Sequence, residues 1–131
     1  MTAFAGVEIA LHDYLTVELA GPRVCSELPA QLAGAVPLVQ VVRIGGPHID
    51  NDPYLQVPTV SVDSFAADRA GATDLAHEVD LALRRLTGTT VHGARFGLVR
   101  TLSGPAWRPW DDTGVRRFGA TYSLWMRALT A

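Results

Sequence analysis

The densest run of possible metal ligands in this 131-residue chain is His48-Ile49-Asp50-Asn51-Asp52. A histidine and two carboxylates at alternate positions offer the nitrogen and oxygen donors of a hard-cation or hydrolytic metal site. The run lacks the longer acidic ladder and distal Glu of an EF-hand, and its residue types are equally those of an exposed turn. A small metal-dependent hydrolase using His48, Asp50 and Asp52 is therefore the enzymatic alternative. Asp111-Asp112 could be a paired acid, but the pair sits between Pro109 and Gly114 with no third carboxylate near it in sequence. His12, His48, His77 and His92 fall on separate segments and form no HxH, HxxxH or HExxH spacing. Ser61, Ser64 and Ser103 lack a G-x-S-x-G context, and Cys25 has no evident base. The chain has no Lys, which excludes a Walker-type phosphate loop. These residues point to no catalytic centre, cofactor or metal, and to a mechanism of binding.

The elements that would position these residues follow from periodicity. Val60 and Val62 alternate with Thr59, Ser61 and Asp63, as in a strand with one buried face. From Asp68 the apolar residues Ala72, Leu75, Ala76, Val79, Ala82, Leu83 and Leu86 recur at helical spacing, with Asp68 as N-cap and Gly88 as terminator. A first helix is expected over 5–19, stopped by Gly21-Pro22. Strands are expected over 23–28, 38–44, 91–101 and 115–128, with a linker or one helical turn over 31–36. On the strand over 91–101, Ala94, Phe96, Leu98 and Leu102 should share one face and Arg95, Val99 and Thr101 the other. On the last strand, Phe118, Ala120, Tyr122, Leu124 and Met126 face one way and Arg117, Thr121, Ser123, Trp125 and Arg127 the other. The segments 45–55 and 103–114 read as long loops. The expected fold is α+β: one domain over 1–131 with a small, mostly antiparallel sheet and two helices. Its element order is helix, three strands, helix, two to three strands.

Composition narrows the function classes. The net charge of −2 and the lack of a polybasic run argue against generic nucleic-acid or anionic-membrane binding. A single cysteine excludes an internal disulfide. The sequence shows no basic region followed by an apolar block, and no apolar run nears the ~20 residues that span a bilayer, so folding in a cytoplasm is expected.

The remaining candidates are contact residues. Trp107 and Trp110 either cover the chain's own core or anchor an interface. Trp125, opposite the core face of its strand, needs a covering element or another subunit. Arg95, Arg100, Arg116, Arg117 and Arg127 crowd the last two strands, either solvated or paired with acids of a neighbour such as Asp50, Asp52 or Glu78.

Four motifs carry a resemblance. They are a first helix ending near Pro22-Arg23-Val24; the Pro37-Leu38-Val39 strand entry; Val60-Ser61-Val62-Asp63-Ser64-Phe65-Ala66 followed by Asp68-Arg69 and a helix; and Trp110-Asp111-Asp112-Thr113-Gly114-Val115-Arg116-Arg117 before a strand running Tyr122-Ser123-Leu124-Trp125. Taken in order, they span nearly the whole chain. The sequence resembles the tail-terminator, or tail-completion, proteins of long-tailed bacteriophages. That resemblance implies a structural virion protein at the head-proximal end of the tail, forming a ring, usually a homohexamer. The ring would cap the tail tube protein, stop its polymerisation and dock the head connector or stopper protein. The genome could pass through the lumen without sequence-specific contact, and no membrane is involved. A head-side adaptor or stopper of the neck is the alternative within the class. Contacts to subunits and partners are expected from His48, Asp50, Asp52, Tyr54, Trp107, Trp110, Arg116, Arg117 and Trp125, with Trp110→Ala expected to impair joining while the monomer stays folded.

Overall fold

A computed structural model describes residues 6–47, 52, 54–110 and 114–128. Helix α1 (Val7–Leu19) buries Val7, Ala10, Leu11 and Leu15 and ends at Ala20, which adopts a left-handed backbone with φ 51°. Strand β1 (Arg23–Cys25) is followed by a single 3-10 turn, Leu32–Gly34. Strand β2 (Leu38–Gly45), β3 (Leu55–Gln56) and β4 (Thr59–Ala66) come next, then helix α2 (Arg69–Arg84). Asp68 caps α2 as its residue type suggests: its carboxylate accepts from the Gly71 N–H at 2.7 Å. Strands β5 (Thr90–Val91), β6 (Ala94–Trp107) and β7 (Arg116–Ala128) complete the chain.

The strands form one sheet in the order β1-β2-β4-β7-β6-β5, antiparallel except for β1 beside β2. β3 also lies along β7, continuing the line of β4: Leu55 sits opposite Arg127 and Thr59 opposite Ser123. Between them Pro58 has no N–H for the ladder, which breaks there although its carbonyl still accepts from Leu124 at 3.0 Å. The expected α+β class holds, and the sheet is larger than expected, with four strands before α2 and three after it.

Three expectations need correction. The strand over 91–101 is a hairpin and a longer strand. His92 and Gly93 both take positive φ (50° and 72°), and this two-residue turn folds β5 onto β6 with Val91 opposite Ala94. The segment 103–107 is strand, not loop, because pairing with β7 extends to Trp107 opposite Phe118. Pro105 is compatible because β6 beyond Arg95 is the outer strand, where a missing N–H costs no ladder bond. Finally, Leu98 and Leu102 do not join Ala94 and Phe96 in the core; each is 55% exposed. Between the Phe96–Met126 and Val99–Leu124 pairs, Gly97 and Leu98 on β6 oppose Trp125 alone on β7, and this bulge puts Val99, not Leu98, against the core.

Both helices pack on one face of the sheet. The main core joins Leu11, Leu15, Val79, Leu83 and Leu86 to Val39, Val41, Val60, Val62, Phe96, Tyr122, Leu124 and Met126. Tyr122 sends its hydroxyl up to Asp80 of α2 at 2.8 Å, and Tyr14 of α1 donates to the Ala82 carbonyl at 2.6 Å, so each tyrosine ties apolar packing to a hydrogen bond. Burial pushes both phenols above their ordinary pKa. On the opposite face a smaller core of Leu32, Leu38, Phe65 and Val115 covers one end only. The segment expected as a linker or one helical turn is a 3-10 turn and contributes Leu32, Ala35 and Val36 to this core.

Candidate functional site

The helix-free face is built from alternate residues of β4 and β7 and from β6. Near the covered end it holds a polar cluster centred on Asp63. Arg108, just past β6, reaches back so that Nη1 donates to Asp63 Oδ1 at 2.8 Å and Ser61 Oγ at 2.9 Å, while Nη2 donates to Thr121 Oγ1 at 3.2 Å. Arg117 Nη1 lies 4.0 Å from the other Asp63 oxygen, and its Nε and Nη2 donate to the carbonyls of Arg108 and Pro109. Burial pushes the Asp63 carboxyl above the usual carboxylate range, and the two guanidiniums pull against that without overcoming it. The cluster therefore fixes the β6–β7 connection to the sheet.

Trp107, the last residue of β6, and Trp110, just beyond it, both pack on the chain's own body. Trp110 packs edge-on against Phe65, ring centroids 5.4 Å apart, and the Arg117 guanidinium lies 4.7 Å from its ring centre. Trp107 lies on the other side of the sheet, 5.8 Å from Phe118, with the Arg69 guanidinium 4.9 Å from its ring centre. Each is half-buried and packs against the chain's own core. The Arg116 side chain is half-buried and donates to the Val115 carbonyl at 3.3 Å.

The far end of the face is different. Trp125 remains 38% exposed and stands beside the bulged Leu98. With Leu55, Arg95, Gly97, Met126 and Arg127 they line a shallow groove of about 320 Å³. Asp52 closes one end within the chain, pairing with Arg127 at 3.0 Å and accepting from the Tyr54 N–H at 3.1 Å. Tyr54 is 39% exposed next to it. Of the candidates for metal or contact, His48, Asp50, Asp111 and Asp112 lie outside the described residues.

Sequence reading missed the Asp63 cluster and one more. The α1 residues His12 and Asp13 meet His92 of the β5–β6 turn, and both imidazoles hydrogen-bond the Asp13 carboxylate. These bonds hold the Asp13 carboxyl below its ordinary pKa. The adjacent His-Asp pair was visible, but its approach to His92 depends on a turn that periodicity did not reveal. Among the described residues no group of three or more His, Cys, Asp and Glu is placed to hold a metal. The Cys25 thiol is half-buried and pushed up by burial.

These features define a class: an α+β domain whose described residues form two helices on one face of a seven-stranded sheet, with a partly bare second face. No protein-family model matches the sequence, and no curated protein matches it significantly. The fold is similar to that of a chain in the virion of a native gene transfer agent particle, with a TM-score of 0.55 at 16% identity. The likeness covers 92% of this chain and 94% of that one.

Proposed function

We propose that this chain is a structural virion protein, a tail terminator that closes into a ring on the tail tube, stops its growth and offers a docking surface to the head connector. The observation that carries the reading is the likeness in fold, over 92% of this chain, to a chain of a gene transfer agent virion. The order of motifs along the sequence supports the narrower role. The face geometry is consistent with it: one side of the sheet is covered by helices, and the other exposes Trp125, Leu98 and arginines in a groove suited to a protein partner. The ring is usually of six copies in the proteins the sequence resembles, and we adopt that number.

Native mass spectrometry of the purified chain, with and without polymerising tube protein, tests this directly. Ring-sized masses and tubes of arrested length are expected. A chain that binds the head connector but leaves tube growth unchanged would move the assignment to an adaptor or stopper of the neck. Hydrolytic turnover abolished by His48→Ala, Asp50→Ala and Asp52→Ala with assembly intact would replace it with an enzyme.

A further inference from the structure

We propose that copies of this chain join head to tail, the arginine-rimmed groove around Leu98 and Trp125 of one copy receiving the acidic outer side of α1 and α2 of the next. The inference rests on the ring reading above and names the contact that builds the ring.

Charge is segregated along the fold. β6 and β7 together carry five arginines and no acidic residue, whereas α1 carries three acidic residues and no arginine. Part of this charge is used internally, Arg117 facing Asp63 and Arg127 facing Asp52. Arg95 and Arg100 are different: both are exposed, and neither side chain has a partner among the described residues. On the helical side Asp74 and Glu78 are likewise exposed and without a partner among the described residues. They stand with Leu81 at i, i+4 and i+7, which is one outward stripe of α2. Arg85 does not reverse the sign of this region, because Glu18 of α1 holds it at 3.3 Å.

The apolar surfaces match in the same way. Val17 and Leu81 are 77% and 56% exposed on the helical side, and Leu81 lines a depression there with Glu18, Leu19, Glu78 and the Glu18-paired Arg85. Leu98 and Trp125 are the exposed apolar residues of the groove. Docking one patch on the other buries both and brings the unpartnered arginines to unpartnered carboxylates. A two-fold dimer through either patch would instead set like charges against each other. The occupant that fits is therefore a second copy in a head-to-tail sense, the interface type that closes into rings.

Two double variants test the contact by charge reversal. Arg95→Glu/Arg100→Glu reverses the two unpartnered charges of β6, Arg95 among the groove residues, and Asp74→Arg/Glu78→Arg makes the helical stripe basic. All four positions are exposed, so circular dichroism and melting should match the parent chain. Each variant alone should lose assembly by at least about tenfold in association constant, because its two patches then repel. A one-to-one mixture should regain the parent's ring mass in a native mass spectrum, with the two variants alternating. Variants that each still assemble like the parent would overturn this contact and leave the ring standing. A parent chain that stays monomeric at all concentrations and on tube ends would overturn both.

Discussion

Arg108 and Asp63 meet across the helix-free face, Nη1 to Oδ1 at 2.8 Å, although they are 45 positions apart and on different elements. Asp63 is largely buried, its side chain 13% exposed, and burial rather than the arginine decides the direction of its pKa. The folded value is raised above the ordinary 3.8, so between those values the folded state binds more protons than the unfolded chain. This group's contribution to stability is therefore full below 3.8 and lost as pH rises through the folded value. Asp63→Asn should remove that loss, giving a smaller fall in urea-unfolding free energy between pH 3 and 6 than the parent shows. Arg108→Met should raise the carboxyl further and lower stability at pH 7 by about 2–3 kcal/mol, since it leaves a buried charge with a weaker partner.

Gly119 makes this meeting possible. A Cβ there would stand 2.0 Å from Asp63 Oδ1 and 2.5 Å from Arg108 Nη1. Gly119→Ala should therefore break the ion pair or push β7 off register, costing about 2–3 kcal/mol by the usual scale of overpacking. Chemical denaturation measures the cost. In an Arg108→Ala background the penalty should shrink, because the Arg108 Nη1 and Cδ atoms that obstruct the site are gone, and an unchanged penalty would show that Asp63 alone sets the clash.

Trp110 should behave as a core residue, contrary to what its place in a loop suggests. Its contacts to Phe65 and Arg117 seal the small second core. Trp110→Ala should destabilise the monomer by about 2–3 kcal/mol, below the range for a fully buried tryptophan because the residue is only partly covered. A monomer with unchanged melting and lost head–tail joining would restore the interface role.

Trp125 should show the reverse pattern. It is exposed on β7, and its loss opens no cavity in the main core. Trp125→Ala should change monomer stability by less than about 1 kcal/mol, while weakening assembly by the 2 kcal/mol or more typical of an interface anchor. Comparing thermal melts with ring formation by native mass separates the two effects. A large drop in melting temperature with assembly preserved would remove Trp125 from the interface.

The body of the fold was legible in local pattern. Asp68 could be read as a cap because an N-cap needs only its own side chain and the next three residues. The buried face of β7 followed from strict alternation, and that of α2 from three- and four-residue spacing, because each pattern reports a single element's geometry. The sequence determined by itself which residues form the two helices, which face of β7 lies inside, and that no Walker loop is present. Tertiary structure decided the rest. Leu98 and Leu102 left the core because bulges are set by pairing between two strands, a relation no single strand's periodicity contains. The Asp63 cluster and the His12–Asp13–His92 contact join residues from distant parts of the chain. Only the path of the backbone brings them together. Trp107 and Trp110 pack over the core, and Trp125 stayed exposed, because burial depends on what packs opposite a side chain and not on its own apolar character.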